Sequence, residues 1–228
     1  MRAKPIFSQS IALLKHAAPF GQGAVSVCYV HPDNPDLCIK VQKPELTAAA
    51  APWKPTENAK TAHGYRQKAV RHGDARLWEH LPRLHGWQNT DLGLGLVSDY
   101  YSTPDGAPAP TLRALLQTHG MTREMNQAIA AFVAYLCDTR LLTRRIAPHN
   151  LVYARDGRLK LIDDMGGRWV AFADLHTSLG TWRIRRTIRD LHKRIAWELS
   201  DRTQPSRKWR ADDMGRWLPA LDHFTQDF

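Results

Sequence analysis

A short segment in the second half of the chain constrains its fold more than any other feature. Between Asn150 and Asp163 the sequence reads "LVYARDGRLKLI". Two apolar runs flank "ARDGR", and the Asp and Gly of that stretch are typical turn residues. We therefore predict a β-hairpin. Because the two ends of a hairpin lie side by side, the Asn150 amide and the Asp163 carboxylate are expected to converge.

This convergence has a chemical and a purely structural interpretation. Hard oxygen ligands suit Mg²⁺, which takes one or two protein oxygens and completes its shell with water and substrate phosphate oxygens. The alternative is an ordinary hairpin bounded by a turn Asn and a helix-capping Asp. The segment alone does not decide between the two.

The first hundred residues are predicted to be rich in β-strand. "FGQGAVSVCYV" places Gly21 and Gly23 at a turn, where a backbone without side chains can approach a phosphate closely. "LCIKV", Leu37–Val41, is predicted to be a following strand, in which alternation places Lys40 on the face opposite its two apolar neighbours. Taken alone, the glycines are better explained by an ordinary hairpin turn, and the Lys is also consistent with a strand face that is exposed to solvent.

The remaining pattern separates a strand-rich half from a helical half. A first strand is predicted at Ile11–Ala17, a mainly helical segment at Asn58–Leu81, and two strands around "NTDLG". After the connector "STPDGAPAP", helices are predicted to begin behind Thr111 and Thr122, followed by the basic amphipathic segment "TWRIRRTIRDLHKRIAWELS". The order predicts an α+β protein, with a β-rich N-lobe at residues 1–102 and an α-helical C-lobe at residues 103–228.

Composition limits the partners and the compartment. The net charge of +10 and the pI near 9.8 favour acidic partners such as nucleotides, nucleic acid or an anionic surface. No apolar run reaches the ~20 residues that a membrane span requires, and the N-terminus lacks the pattern of a signal peptide. We therefore predict a cytoplasmic protein. Its three cysteines are predicted to be free thiols in preference to a bridge between Cys28 and Cys38.

The order of Gly turn, Lys strand, helix, connector, helices, Asn, hairpin and Asp resembles the bilobal protein kinase-like fold. More closely, the chain resembles the YrbL family, kinase-like bacterial proteins associated with the PhoP regulatory network. Three stretches carry this resemblance: "CYVHPDNPDLCIKV", "LPRLHGWQNTDLGLGLVSDYYSTPDG", and "TRLLTRRIAPHNLVY" with "LIDDMG". It extends from about Gly21 to Arg194.

The resemblance implies ATP and Mg²⁺ as ligands and gives each matching position a role. Gly21 and Gly23 would lie over the nucleotide phosphates, and Lys40 would reach the α- and β-phosphates. Asn150 and Asp163 would hold Mg²⁺. The hinge that meets the adenine with its backbone would consist of four residues, Ser98, Asp99, Tyr100 and Tyr101.

Two departures from the kinase pattern bear on activity. Arg145 stands five residues before Asn150, where active kinases carry the catalytic-loop Asp. An Arg stays protonated and cannot accept a proton from a substrate hydroxyl. The helix that normally supplies a Glu partner for the Lys offers no acid among Gly64, Gln67 and Lys68, and Glu57 lies only at its start.

These departures predict reduced or absent turnover without excluding nucleotide binding. General-base assistance contributes about 10²–10⁴-fold, whereas positioning and charge neutralisation carry most of phosphoryl transfer. We therefore predict an ATP-binding pseudokinase, or a weak and atypical phosphotransferase, with a regulatory role and an unidentified acceptor or partner protein. The alternative is a non-catalytic interaction protein whose basic helix binds nucleic acid or another anionic partner.

Overall fold

The computed structural model describes residues 8–43, 58–64, 75–141, 143, 146–163 and 177–202. They fall into two compact units that divide between Pro108 and Ala109, within the connector "STPDGAPAP". The sequence-based boundary was placed earlier in this connector, after Ser102. Arg145 lies outside the described residues, as do three positions weighed for the missing helix acid: Glu57, Gln67 and Lys68.

The first unit is built on a six-stranded sheet. Its strands are β1 (Ser8–Ala12), β2 (Gly21–Gln22), β3 (Ser26–His31), β4 (Asn34–Gln42), β5 (Leu84–Thr90) and β6 (Gly93–Asp99). Across the sheet they follow the order β1-β5-β6-β4-β3-β2. Strand β1 pairs parallel with β5, and the other neighbours are antiparallel.

The first strand lies earlier than Ile11–Ala17, so that prediction was wrong. Strand β1 ends at Ala12, and the following residues turn. The cause is the Asp91 carboxylate, which accepts hydrogen bonds from the backbone N–H groups of Leu14 at 2.7 Å and Lys15 at 3.2 Å. These two bonds replace ladder pairing and end the strand. They also lower the pKa of Asp91, the bond from Leu14 contributing most.

Strand β4 shows the alternation expected of "LCIKV" and extends it at both ends. Ile39 and Val41 are buried in an apolar cluster with residues of β1, β3 and β6. Lys40 points to the other face, as predicted, because successive side chains of a strand alternate. This unit therefore has an apolar face that forms its core and a second face that carries Lys40.

The segment between β4 and β5 is only partly the predicted helix. Residues 58–64 are α-helical. Ala75–Glu79 forms a five-residue 3₁₀ turn. Pro82 follows soon afterwards, and because a proline cannot extend a helical hydrogen-bond ladder, helical structure ends before it. Residues 65–74 of the predicted helix lie outside the described residues.

The second unit combines helices with a small hairpin. Its elements are α1 (Leu112–His119), α2 (Arg123–Thr139), β7 (Leu151–Tyr153), β8 (Leu159–Leu161) and α3 (Thr177–Leu199). Thr111 and Thr122 cap α1 and α2 by accepting backbone hydrogen bonds at 3.1 Å and 3.2 Å, which confirms both predicted helix starts. The chain is thus α+β, as predicted.

The basic segment is helical and buries its apolar stripe. Ile184, Leu191 and Ile195 of α3 are buried, while several arginines of the same helix are exposed. This division is the one that an amphipathic helix produces. Over the ranges that the structure describes, no helix combines the length and apolar character needed to cross a membrane.

Candidate functional site

One row of residues crosses four strands of the first unit. Gly21 pairs with Cys28, Cys28 with Lys40, and Lys40 with Leu96. Residues paired in this way point to the same face of a sheet, and neighbouring strands are about 4.8 Å apart, so Gly21 and Lys40 lie about 10 Å apart. The structure therefore brings Gly21 and Lys40 to one face of one sheet, opposite the apolar core; Gly21 lies in strand β2 and only Gly23 lies in the turn, whereas both were predicted at the turn.

The glycine turn is closed by two backbone hydrogen bonds. The Gly23 N–H donates to the carbonyl of Ser26 at 2.9 Å, and the Phe20 N–H donates to that of Cys28 at 3.0 Å. Neither Gly21 nor Gly23 has a positive φ, and a Cβ at either position would meet nothing closer than 3.8 Å. The fold itself therefore does not require glycine here. A ligand that approaches the backbone closely would give a separate reason for glycine at these two positions.

The four hinge positions lie where β6 ends, and two of them already use their amides. The Asp99 N–H donates to the carbonyl of Arg83 at 3.1 Å, and the Tyr100 N–H donates to that of Asp36 at 2.8 Å. These two amides therefore do not offer a donor to an adenine ring. Backbone recognition of a base at this segment would depend on groups other than these two amides.

Side chains of the same segment are also held in place. The Asp99 carboxylate accepts from the Arg83 N–H at 2.9 Å and lies 2.7 Å from Nε2 of His85. Ser98 Oγ lies 3.3 Å from Sγ of Cys38. The Tyr100 ring contacts the ring of Phe20, the residue before the glycine turn, with 4.6 Å between centroids. The aromatic contact joins the hinge segment to the turn within the first unit.

The two predicted Mg²⁺ ligands lie at the same end of the hairpin in the second unit. Asn150 closes a 3₁₀ turn, with its N–H donating to the carbonyl of Ala147 at 2.8 Å. The carbonyl of Asn150 accepts from the N–H of Ile162 at 2.9 Å. Asp163 follows directly, so the backbone places both residues where the ends of the hairpin meet. Both are partly exposed.

The remainder of the hairpin is anchored firmly. Leu151, Leu159 and Leu161 are fully buried. The N–H of Tyr153 donates to the carbonyl of Pro110 at 2.9 Å, which ties β7 to the chain just before α1. A rigid base under Asn150 and Asp163 is what a metal site needs, because ligand geometry tolerates little displacement.

The donor set fits Mg²⁺ better than it fits a transition metal. In the part of the chain that the structure describes, no three residues of the types His, Cys, Asp and Glu come together as a metal site. An amide oxygen and one carboxylate supply two hard ligands, and Mg²⁺ completes such a set with water and substrate phosphates. The residues present therefore fit a nucleotide-bound Mg²⁺ ion.

The cysteines are free thiols, as predicted. Cys28 pairs with Lys40 and Cys38 with Val30. Burial raises the pKa of the Cys38 thiol to about 11 and also raises that of Cys137. A protonated thiol is a poor nucleophile, so these two positions are unsuited to thiolate chemistry.

Asn58 is a residue that sequence reasoning missed. It lies in the helical segment 58–64, is almost completely buried, and hydrogen-bonds both Ser26 and the backbone of Lys40. An Asn at a helix start suggests an exposed cap, so its identity gave no sign of burial. No local signal marks it, because its partners Ser26 and Lys40 lie in two other strands.

The chain is similar to proteins of one bacterial family. A family model described as PhoP regulatory network protein YrbL matches residues 12–196. Two relatives, each named "Uncharacterized protein YrbL", come from Escherichia coli (strain K12) and Shigella flexneri. Each is 27% identical over 154 residues, which make up 65% of this chain and 69% of the relative. Since the family model covers most of the sequence, the chain belongs to the family of the PhoP regulatory network protein YrbL.

Proposed function

We propose that this protein binds Mg-ATP and acts as a kinase-like regulatory protein, either as a pseudokinase or as a weak phosphotransferase. The observation that carries this proposal is the row Gly21–Cys28–Lys40. It places Gly21, in the short strand that leads into the glycine turn, and Lys40 on one sheet face, about 10 Å apart by strand spacing. A helix and then the hinge segment follow in the order of a kinase-like N-lobe.

Two hard oxygen ligands lie in the second unit. Asn150 and Asp163 would hold the Mg²⁺ ion that accompanies the nucleotide. When bound, the ion neutralises charge on the phosphates. Lys40 would add a further positive charge at the phosphates, while the two glycines would let the phosphates approach the backbone closely. A cytoplasmic location belongs to this proposal.

Mg-ATP binding is tested by thermal unfolding with and without ligand. A ligand at about 100 times its dissociation constant stabilises the folded state by ~2.7 kcal/mol. Lys40→Met should abolish most of that shift, because it removes the charge at the phosphates. Lys15→Met removes an exposed lysine on a turn of the same unit and should keep the shift. No shift in the unaltered protein would end the nucleotide proposal.

Catalytic activity is tested separately from nucleotide binding, through the residue at position 145. Turnover of labelled ATP should be absent or slow in the natural sequence, because no carboxylate stands at position 145. Arg145→Asp would place a base there. A gain of 10-fold or more would locate the defect at this position, whereas no gain would attribute it to the missing helix acid or to an absent acceptor.

A second candidate function rests on the surface of α3. Trp182 is 54% exposed, and the guanidinium of Arg186 lies 5.4 Å from the centre of its ring. Arg185 and Arg189 are exposed on the same helical face, given their spacing from Trp182. An exposed aromatic ring among arginines suits a single-stranded nucleic acid, since bases stack on the ring and phosphates pair with the charges.

Fluorescence anisotropy with a labelled single-stranded oligonucleotide tests this candidate. Binding that weakens at least 10-fold in Trp182→Ala and falls steeply with added salt would support it. Asp190→Asn, on the same helix, should not weaken binding, because it removes a negative charge. Equal binding by the Trp182→Ala protein would rule this surface out.

A further inference from the structure

A buried side-chain amide joins three elements of the first unit. Asn58 Nδ2 donates to the backbone carbonyl of Lys40 at 2.8 Å. Asn58 Oδ1 accepts from Oγ of Ser26 at 3.2 Å. Through these two bonds, helical segment 58–64 is fastened to β4 at the Lys and to β3 at the residue that closes the glycine turn.

Burial makes these bonds costly to lose. Asn58 and Ser26 are each only 3% exposed, so neither can exchange its partner for bulk water. A buried polar group left without a partner destabilises its surroundings, whereas a satisfied one fixes their geometry. The pair therefore selects one arrangement of the helical segment against the sheet.

The register of the sheet shows why this arrangement concerns Lys40. Ser26 pairs with Gln42, two positions along β4 from Lys40. Because side chains two apart point to the same face, Ser26 and Gln42 share the face of Lys40. Oε1 of Gln42 is buried, and no described residue hydrogen-bonds it. The face that carries Lys40 thus includes buried polar groups of Ser26, Gln42 and Asn58, beside the buried side chain of Leu96.

The chemistry of an amide differs from that of the acid expected on this helix. A carboxylate would engage the ammonium group of a Lys and would depend on its own ionisation. Asn58 instead holds the backbone of Lys40 and is neutral at every pH. It therefore fixes where the Lys side chain begins and leaves the ammonium group to other partners.

We propose that Asn58 is the positioning residue of this face. It holds helical segment 58–64 against the Lys40 backbone and against Ser26, and so sets the point from which Lys40 reaches the phosphates of a nucleotide. The part that concerns phosphates rests on the proposed function, whereas the mechanical link between helix and sheet does not.

Two measurements on the full-length protein test the two parts. The first is hydrogen–deuterium exchange without nucleotide. Asn58→Ala should raise exchange at least 10-fold in residues 58–64 and at the amides of β4 next to Lys40, while the hairpin of the second unit stays unchanged. Unchanged exchange across residues 58–64 would overturn the link.

The second measurement is the dissociation constant of Mg-ATP in a double-mutant cycle. Asn58→Ala should weaken binding about 10-fold in the natural sequence and by less than 2-fold when Lys40 is already Met, because Asn58 acts through Lys40. An equal loss in both backgrounds, or no loss in either, would overturn the positioning role. If Asn58 served stability only, Asn58→Ala would lower the free energy of unfolding, and the loss of Mg-ATP affinity would be the same with Lys40 and with Met at position 40.

Conservative variants keep the test decisive if Asn58→Ala does not fold. Asn58→Asp retains an acceptor for Ser26 but cannot donate to the Lys40 carbonyl, so it should weaken Mg-ATP binding as much as Ala does. Ser26→Ala leaves the bond to Lys40 and should weaken binding less than 3-fold. A larger loss of Mg-ATP binding in Ser26→Ala than in Asn58→Asp would contradict the role of the Asn58–Lys40 bond. If the natural protein binds no Mg-ATP, the proposed function and the phosphate role fall together, and exchange alone decides the link.

Discussion

The backbone N–H of Ile162 donates a 2.9 Å hydrogen bond to the carbonyl of Asn150. This bond adds a rung to the ladder beyond the pair Leu151–Leu161. Asp163 consequently leaves the hairpin beside Asn150, and this main-chain bond brings the two positions together. Substitutions of the Asn150 or Asp163 side chain should therefore change the chemistry of this end and preserve the hairpin.

Asp163→Asn tests that separation of chemistry from folding. The variant should bind ATP at least 10-fold more weakly in the presence of Mg²⁺, because a neutral amide is a poorer ligand for a hard cation than a carboxylate. Calorimetric titration of ATP with and without Mg²⁺ measures the effect. The matched change Asp138→Asn, at an exposed position of α2, should leave both affinities unaltered. A Mg²⁺ dependence equal to that of the natural protein would contradict the metal assignment.

Gly95→Ala should destabilise the first unit. A Cβ at Gly95 would overlap Cγ2 of Ile39, which is fully buried in the core cluster. Overpacking of this kind costs about 1–3 kcal/mol. Urea denaturation measures the loss, and Gly21→Ala is the control, since a Cβ there meets only an ordinary 3.9 Å contact. Equal stability of the two variants would show that the core yields at Ile39.

His192 should make stability depend on pH. It is buried in α3, and desolvation lowers its pKa from 6.5 to about 4. Between these values the unfolded chain binds a proton that the folded chain excludes. The free energy of unfolding should therefore fall as the pH drops from 6.5 to 4, by up to about 3 kcal/mol. Above pH 6.5 this residue should have no effect.

Denaturation at a series of pH values, compared between the natural protein and His192→Gln, isolates this residue. The difference between the two unfolding free energies should change across the window, because the Gln side chain does not titrate. Two parallel curves would show that His192 becomes accessible to water before it is protonated.

Arg113→Met should destabilise the contact between α1 and α3. The buried carboxylate of Glu198 lies 3.1 Å from Nε of Arg113 and accepts from Nε2 of Gln117 at 2.6 Å. Removing the Arg leaves a buried charge short of a partner, at a cost of about 1–3 kcal/mol. A double-mutant cycle with Glu198→Gln should show that the two changes are not additive.

The exposed pair Arg186–Asp190 provides the contrast for this cycle. Its atoms are 3.9 Å apart and both side chains are more than half exposed. Asp190→Asn should therefore change stability by less than about 1 kcal/mol. Comparable losses at the exposed and buried pairs would mean that burial of Glu198 does not strengthen its ion pair.

Local signals made much of the fold predictable. The turn residues between Leu151 and Leu161 predicted the hairpin correctly, and Thr111 and Thr122 predicted the starts of the helices that they cap. The alternation of apolar and polar residues around Lys40 predicted that β4 has one buried and one more polar face. In each case the deciding interactions join residues close in sequence, so composition and spacing were enough.

Distant partners explain what the sequence did not reveal. Strand β1 ends early because Asp91 accepts hydrogen bonds from the residues that follow it. Asp91 lies far along the chain, and nothing in the neighbouring sequence predicts this contact. Asn58 is buried because Ser26 and Lys40 satisfy its amide, and those partners come from two other strands. The Gly and Lys positions were found from the sequence pattern and given roles by resemblance to a family, while the amide that holds Lys40 and Ser26 follows only from coordinates.

The parallel pairing of β1 with β5, in which Ser8 lies opposite Gln88, has a consequence for biosynthesis. Strand β1 leaves the ribosome well before its partner β5 and must wait for it before docking, while the hairpin β3–β4 can close at once. Until β5 is synthesised, the backbone N–H and C=O groups of β1 can pair with other nascent chains. Ribosome-bound fragments that stop before Leu84 should therefore be the ones that need a chaperone.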